Sequence, residues 1–280
     1  MAPAVAGSNP VTHPKLKLAE SAVNNRQLRV AVISPQFAVF LRELEDRYLA
    51  DLRFSDVTRA LRALSSAYVE RRETALADHR ALDGAGKRAA FALYYGPIHF
   101  LLVQHIVREL GVTPDRGTVV DLGCGTGVAG AAVATAAAPP LSVLGIDTHP
   151  WTLDEARFTY KTFGLRFDVR RGHAARTRFP SDTSFVVAAF VVNELNDVDR
   201  GELVRHLKVA ATSAATSVLI IEPISLRISP WWDEWTRELG ARADEWRVRV
   251  DMPPIVKRLA KAAGLRPEVL TARSLFVVKR

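Results

Sequence analysis

The sequence predicts a doubly wound α/β sheet preceded by a helical N-terminal region, and two patterns favour this fold class. From Thr118 onward, short apolar runs rich in β-branched residues alternate with helical segments, which is typical of buried parallel strands joined by crossover helices. Before Gly111, apolar residues instead recur at helical spacing. We therefore expect three parts: a disordered lead (1–15), a helical cap (16–110) and the α/β domain (111–280).

The helical cap is predicted from its start and stop signals. Four helices are expected: one after Ser34-Pro35, one after Ser55, one from about Gly86 to Tyr95 and one from Ile98 to Leu110. Gly96-Pro97 is expected to interrupt the last two, because proline lacks the N–H that continues a helix.

The α/β domain is predicted to hold seven strands. The first five are the runs TVVDLG, SVLGID, RFDVRR, SFVVAAFVV and SVLIIEP. The predicted helices of this domain are Val128 to Ala138, Trp151 to Phe163, Arg200 to Ala214, Trp231 to Leu239 and Pro254 to Ala263. The runs PEVLTA and SLFVVKR near the end of the chain are expected to form an antiparallel terminal hairpin.

Composition limits the class of protein. The chain has 280 residues, of which 48% are hydrophobic and 24% charged, as in ordinary globular proteins. Cys124 is the one cysteine, which excludes an internal disulfide or a cysteine-held metal cluster and favours a cytoplasmic location. No secretory signal and no apolar run of bilayer length is evident, so no membrane partner is expected. The net charge of +8 makes a polyanionic partner possible.

A glycine-rich loop is the most informative motif. In VVDLGCGTGVAG, a strand ending at Leu122 leads into Gly123, Gly125 and Gly127 and then into a helix. Glycines let a backbone turn sharply and approach a ligand, and the helix N-terminus faces that ligand. Twenty residues after Gly127, the second strand ends in Asp147, where a carboxylate can accept hydrogen bonds from both ribose hydroxyls. The spacing predicts a site for a nucleoside.

Asp121 distinguishes two kinds of nucleoside ligand. Gly125 to Gly130 fits the dinucleotide pattern G-x-G-x-x-G, but a carboxylate two residues before the first glycine would repel a pyrophosphate. The same carboxylate suits a ligand that carries an ammonium group. S-adenosylmethionine has an ammonium and a sulfonium group and no phosphate, so it is favoured over NAD, and an NAD-dependent oxidoreductase remains a remote alternative.

These residues resemble a known family. VVDLGCGTGVAG resembles motif I of class I S-adenosylmethionine-dependent methyltransferases, and VLGIDTHPWTLDEA resembles their second motif. The resemblance implies their Rossmann-like fold, with an antiparallel last strand, and S-adenosylmethionine as cofactor, with S-adenosylhomocysteine as product. The implied cofactor contacts are Asp121, Gly123, Cys124, Gly125 and Gly127 in the loop, Asp147 and Thr148 after the second strand, His173 and Ala174 after the third, Val191 after the fourth, and Tyr95 as part of a roof.

The chain departs from the family pattern in two places. His173 stands where an aspartate often contacts the adenine amine, so that His173 or the backbone of Ala174 is the expected contact. VVNELND, after the fourth strand, lacks the proline pair typical of enzymes that methylate nucleobase amines. The candidates for catalysis there are Glu194 as a general base and Asn193 as a polar positioner, with Glu222 at the end of the fifth strand as a further candidate base.

The methyl acceptor stays open between a small molecule and RNA or the ribosome. AAFALYYGPIHFLLVQHIVREL, NELND and LIIEP are similar to a ribosomal small-subunit-associated methyltransferase-like family, which implies an rRNA target or a non-catalytic assembly factor. That family's clustered cysteines are missing here. Five arginines around the third strand could track phosphates: Arg166, Arg170, Arg171, Arg176 and Arg178. Four tryptophans could wall an aromatic pocket instead: Trp231, Trp232, Trp235 and Trp246.

Overall fold

The computed structural model describes residues 34–70, 82–112, 114, 116–213, 216–224 and 229–278. The predicted disordered lead and the beginning of the predicted cap lie outside these residues. The elements follow in the order α1 (Pro35–Leu49), α2 (Phe54–Glu70), α3 (Ala85–Ala90), α4 (Gly96–Glu109), β1 (Thr118–Leu122), α5 (Val128–Ala134), β2 (Ser142–Asp147), α6 (Pro150–Thr162), β3 (Phe167–Arg171), β4 (Thr183–Ala189), α7 (Asp197–Ser213), β5 (Ser217–Glu222), α8 (Trp232–Leu239), β6 (Arg242–Arg249), α9 (Pro254–Ala263) and β7 (Val269–Val277).

The strands form one seven-stranded sheet in the order β3-β2-β1-β4-β5-β7-β6. Strands β1 to β5 run parallel, and β7 pairs antiparallel with both β5 and β6. The chain order reverses between β1 and β4, and ligands of such sheets bind at the carboxyl edge beside that reversal. The predicted fold class, a doubly wound sheet of the class I methyltransferase type with an antiparallel last strand, is confirmed.

Apolar side chains cover both faces of the sheet. Val119 and Val143 point to the face that carries α1 to α6 and α9, whereas Val120 and Leu144 point to the face that carries α7 and α8. The alternation follows from the two-residue period of a strand. Because helices α1 to α4 share their core with the sheet, they cover one of its faces together with α5, α6 and α9.

Gly96-Pro97 does not interrupt the helix, contrary to the prediction. Instead the chain makes a π-helical turn over Phe91–Tyr95, in which the N–H of Gly96 donates to the carbonyl of Phe91, and α4 continues directly. The wider turn lets the helix continue although Pro97 has no backbone N–H to donate. Turns of this kind occur frequently at functional sites.

The same helical run meets the length and composition criteria for a membrane-spanning helix, which the sequence pattern did not suggest. Ala85–Glu109 is long and apolar enough to cross a membrane by length and composition, with a mean hydropathy of 1.3 over its best 18-residue window. However, 78% of that window is buried inside the protein. The run is therefore apolar all round because it is a core helix.

The prediction that the last two apolar runs pair with each other as a hairpin is wrong. PEVLTA and SLFVVKR belong largely to one continuous strand, β7, whose partner is β6. Strand β6 escaped prediction because it is a charged edge strand that buries only Trp246 and Val248. Charged residues on such an edge oppose pairing with another chain.

Candidate functional site

The glycine loop lies between the carboxyl end of β1 and the start of α5, as predicted. Gly123, Gly125 and Gly127 all have positive φ angles, of 61°, 52° and 78°. A Cβ on Gly123 would lie 2.3 Å from Val191 Cγ2, so this glycine lets the loop pack against the segment after β4. A Cβ on Gly125 would meet nothing closer than the carbonyl oxygen of Gly123 at 4.0 Å. Gly125 therefore faces open space at the carboxyl edge.

Asp121 supports this loop from below. Its Oδ2 accepts hydrogen bonds from the N–H of Gly130 at 2.8 Å and from the hydroxyl of Tyr160 at 2.9 Å. The side chain is 1% exposed, and burial raises its pKa to about 7. Oδ1 is buried without a hydrogen-bond partner among the described residues. Asp121 thus differs from the expectation of an open contact with an ammonium group: one oxygen holds the start of α5, and only Oδ1 is left for a ligand.

Cys124 is a packed residue of the loop. Its side chain is 5% exposed, and burial raises the pKa of the thiol well above its ordinary value. A buried thiol that keeps its proton is a poor nucleophile. Its N–H donates to the carbonyl of Ile146 at 2.9 Å, which ties the loop to β2.

Asp147 ends β2 beside the loop, as the motif spacing predicts. Its Oδ2 accepts from the N–H of Gly125 at 2.9 Å, and its Oδ1 accepts from the N–H of His149 at 2.9 Å. These bonds fix the carboxylate at the carboxyl edge. Two carboxylate oxygens offer about four acceptor positions, so capacity remains for two ribose hydroxyls. The neighbouring Thr148 accepts from Arg171 Nε through its carbonyl at 3.2 Å.

His173 and Ala174 follow β3 in the expected place. The Nε2 atom of His173 lies 3.6 Å from Asp199 Oδ2 on α7. Its Nδ1 atom is buried without a hydrogen-bond partner within the described parts of the chain. Ala174 is buried and begins a short 3₁₀ turn. Their contact with an adenine ring stays a prediction.

A buried polar network fixes the segment after β4. Glu222, 1% exposed, accepts from the N–H groups of Val192 and Asn193 and from the side-chain amide of Asn193, at 2.8, 3.2 and 2.8 Å. Asn193 Oδ1 in turn accepts from the hydroxyl of Ser229 at 2.8 Å and from Trp231 Nε1 at 3.0 Å. Asn193 is therefore committed to holding the segment in place, which leaves it little capacity to position a substrate.

The two candidate bases differ in exposure. Burial raises the pKa of Glu222 to about 8, and its oxygens are occupied by the network just described. Glu194 is exposed at the end of the 3₁₀ turn Val192–Glu194. Its role as a general base stays a prediction.

A row of five aromatic side chains spans the carboxyl edge; we call it the aromatic row. It consists of Trp151, Phe91, Tyr95, His99 and Phe190, with successive ring centroids 6.3, 5.6, 6.0 and 4.2 Å apart. All five are partly buried. The row begins at Trp151, four residues after Asp147 at the end of β2, and ends at Phe190, directly after β4. The predicted roof residue Tyr95 is its central member.

Phe190 is the strained member of the row. It follows β4 directly and has φ 61°, a left-handed conformation that is uncommon for a residue with a side chain. Its N–H donates to the carbonyl of Ile221 at 2.8 Å, and its ring stacks on His99. Such strain costs about 1–3 kcal/mol and clusters at functional sites. It also explains why β4 is shorter than the apolar run SFVVAAFVV.

Four of the five residues of the aromatic row were not predicted as site residues: Trp151, Phe91, His99 and Phe190. Phe91, His99 and Phe190 have no motif of their own. The spacing from Phe91 to Tyr95 to His99, four residues each, was the available signal, because it places the three on one helix face. The predicted tryptophan pocket, in contrast, is core: Trp231, Trp232, Trp235 and Trp246 are each 3% to 7% exposed.

The residues of this edge fit S-adenosylmethionine. The open space beside Gly125 leaves room for a ligand. The carboxylate of Asp147 can accept hydrogen bonds from a ribose, and the unpartnered Oδ1 of Asp121 can accept one from an ammonium group. When bound, the cofactor supplies a methyl group already activated on sulfur. The protein then has to orient the acceptor and exclude water.

Comparison with known proteins identifies the kind of domain that carries this site. Residues 119–211 match a family model described as a methyltransferase domain. No curated protein sequence matches the chain. A candidate O-methyltransferase of Nostoc punctiforme PCC 73102 shares the fold, with a TM-score of 0.50 and 16% identity over 82% of this chain and 71% of its own.

Two further structures are similar at lower scores. The mitomycin 7-O-methyltransferase MmcR has a TM-score of 0.47 and 15% identity, over 88% of this chain and 69% of its own. A candidate RNA methyltransferase of Pyrococcus horikoshii has a TM-score of 0.45 and 15% identity, over 64% of this chain and 83% of its own. The sheet order, the glycine loop, Asp147 and the family match lead to one conclusion: residues 119–211 form a methyltransferase domain, on a sheet with the fold of class I S-adenosylmethionine-dependent methyltransferases.

Proposed function

We propose that the methyl acceptor is a small molecule with an aromatic or otherwise apolar body. The observation that carries this proposal is the aromatic row, because it supplies five partly exposed rings near the loop to which we assign the cofactor. Small-molecule sites are lined mainly by apolar and aromatic side chains with a few polar groups. The row has this character, with His99 and the Tyr95 hydroxyl as its polar parts.

The position of the row also supports a small acceptor. Its middle lies on the π-helical turn and the first turn of α4, which pack against the glycine loop: a Cβ on Gly96 would lie 3.5 Å from Thr126 Oγ1. The helices α1 and α2 support this turn from behind. The acceptor side of the cofactor site is thus bounded by rigid elements, as suits a molecule of a few rings.

The arginine-rich segment gives little support for an RNA acceptor. Three of its five arginines are engaged in the protein: Arg170 with Asp168 at 2.8 Å, Arg171 with the carbonyl of Thr148, and Arg176 with Asp199 at 3.1 Å. Acidic groups interleaved with the cations weaken the attraction for phosphates. An RNA or ribosome partner, and a role as a non-catalytic assembly factor, are therefore the alternatives that the test must separate. A cytoplasmic location is part of the proposal.

The test offers the full-length protein two kinds of acceptor with methyl-labelled S-adenosylmethionine. One is a panel of hydroxylated and aminated aromatic molecules, and the other is small-subunit ribosomal RNA with and without bound proteins. We expect label in the small molecules and none in the RNA. Labelled RNA, or salt-dependent RNA binding without transfer to any small molecule, would overturn the proposal.

A further inference from the structure

His99 is the polar side chain of the aromatic row that no role yet explains. It lies in the first turn of α4, three residues after Gly96, which packs against the glycine loop. Its ring stacks on Phe190, which follows β4, with centroids 4.2 Å and planes 24° apart. The imidazole is therefore held between the carboxyl ends of β1 and β4, where the strand order reverses and a ligand is expected.

The imidazole nitrogens have no partner within the described residues. Neither nitrogen makes a hydrogen bond or ion pair with any residue that the structure describes, although the ring is only partly exposed. The two rings nearest to it, Tyr95 and Phe190, carry no formal charge. Because the ring is partly exposed and its nitrogens are not among the fully buried atoms without a partner, water can bond to them, and a ligand hydroxyl can take the place of that water.

Burial lowers the pKa of His99 to about 4. The ring is therefore neutral at physiological pH, and one of its two nitrogens carries a lone pair that can accept a hydrogen bond. The stack on Phe190 fixes the plane of the ring. A neutral, oriented and unpaired acceptor next to an apolar wall suits a ligand that combines an aromatic body with a hydroxyl donor.

We propose that His99 binds the acceptor's hydroxyl group and takes its proton during methyl transfer, and that the acceptor is a phenol or a similarly acidic aromatic alcohol. This inference rests on the proposed function and names the substrate class within it. The aromatic body would lie along the row beside Tyr95 and Phe190, and the hydroxyl would donate to the free imidazole nitrogen.

A phenolic hydroxyl matches this environment better than the other common acceptors. An aliphatic amine would arrive protonated, and no carboxylate from the described residues is placed beside His99 to balance that charge. An aromatic amine would arrive neutral and attack through its nitrogen lone pair, so it gives the imidazole no proton to take before the transfer. An aliphatic alcohol holds its proton too tightly for a weakly basic imidazole. A phenol is more acidic, with a pKa near 10 in tyrosine, and its acidity rises further as its oxygen begins to bond to carbon.

The step balances without any further reactant. The phenol oxygen forms a bond to the methyl carbon while the carbon–sulfur bond breaks, and sulfur keeps that electron pair in neutral S-adenosylhomocysteine. The phenolic proton passes to His99. The resulting imidazolium, disfavoured by burial, then releases the proton to solvent.

Binding is tested first, with 4-methylphenol, which keeps its proton at neutral pH, as the probe and the full chain saturated with S-adenosylhomocysteine. We compare the wild type, His99→Phe, His99→Gln and, as a control, His206→Gln on the exposed surface of α7. His99→Phe keeps a ring on Phe190 but removes the acceptor, so the affinity for the phenol should fall about tenfold, in line with the loss of one hydrogen bond. His99→Gln retains an acceptor oxygen, so its affinity should stay within about threefold of the wild type. His206→Gln should change nothing.

Nitrogen-detected histidine spectra and turnover complete the test. The His99 ring signals should shift when 4-methylphenol is added and those of His206 should not. Both His99 variants should lose about a hundredfold or more in kcat with phenolic acceptors, because glutamine cannot take the proton. Unchanged affinity for S-adenosylhomocysteine shows that a variant has folded.

The outcomes separate this inference from the proposed function. If the phenol binds wild type and both His99 variants equally, or if kcat survives in His99→Phe, the inference is wrong and the proposed function stands. The same holds if apolar amines or thiols are methylated and phenols are not. If no small aromatic acceptor binds or reacts while S-adenosylhomocysteine binds, the proposed function fails and the role of His99 fails with it.

Discussion

Replacing single glycines by alanine should separate folding from cofactor binding. Gly125→Ala forces a side chain into a backbone with φ 52°, which costs about 1–2 kcal/mol of unfolding free energy. The new Cβ meets no protein atom closer than 4.0 Å, so no steric cost is added. Gly164→Ala, after α6, is the matched control, because it has φ 67°, has nothing within 4 Å and lies outside the site. Both variants should lose about the same stability in urea unfolding.

Cofactor affinity should distinguish these two variants. The methyl group of Gly125→Ala occupies the open space assigned to the cofactor, and forcing a methyl group into a filled space costs about 1–3 kcal/mol. The affinity for S-adenosylhomocysteine should therefore fall about 10- to 100-fold in calorimetry, whereas Gly164→Ala should bind like the wild type. Gly123→Ala adds a 2.3 Å contact with Val191 to its strain and should lose about 2–5 kcal/mol of stability. Equal affinity in Gly125→Ala and Gly164→Ala would refute the cofactor placement.

Three further predictions concern the buried polar groups and the strained segment. Burial raises the pKa of Glu222 to about 8, above its value in the unfolded chain. Between about pH 5 and 8 the wild type should therefore lose stability relative to Glu222→Gln, by about 1.4 kcal/mol at most per pH unit. Urea denaturation that gives the same difference in unfolding free energy between the two proteins at both ends of that range would contradict this. Tyr160→Phe removes the hydroxyl that donates to Asp121 at 2.9 Å, so it should destabilise the fold by about 1–3 kcal/mol in the same assay; a neutral effect would mean that this bond contributes nothing. Phe190→Gly should be more stable than Phe190→Ala by about 1 kcal/mol, because both lose the stack on His99 but only glycine relieves the left-handed backbone; an alanine variant of equal or greater stability in thermal unfolding would argue against strain at this position.

The parallel sheet could be predicted because its signals are local. Strands β1 to β5 are continuous β-branched runs, and buried parallel strands need little else to be recognised. The positions of Gly125 and Asp147 followed in the same way, since a strand, a glycine turn and a helix in sequence determine where the next strand ends. These local signals predicted the fold class and the cofactor edge.

The acceptor side could not be predicted because it is assembled from distant segments. His99 and Phe190 are 91 positions apart in the chain and meet only after α4 packs over the carboxyl edge. The π-helical turn that aims Phe91 and Tyr95 along that edge left no trace except Gly96-Pro97, which by itself indicates a break. A sequence pattern does not show which residues of two distant segments come into contact.

The polar residues after β4 show a second limit. Asn193 has the residue type and the position of a substrate contact, yet its amide is consumed by Glu222, Ser229 and Trp231. Residue type shows what a side chain can donate or accept, but its spare capacity depends on neighbours from two other segments of the chain.

Calorimetry with S-adenosylhomocysteine tests the central claim most directly. Asp147→Ala removes the carboxylate that we assign to the ribose and leaves the N–H of Gly125 without its acceptor. Because hydrogen bonds to a charged group contribute about 1.5–3 kcal/mol, the affinity should fall about 10- to 150-fold relative to the wild type. Asp154→Ala, on the exposed side of α6, should bind normally. Absence of binding to the wild type, or equal affinity in Asp147→Ala, would contradict the assignment of this edge to S-adenosylmethionine.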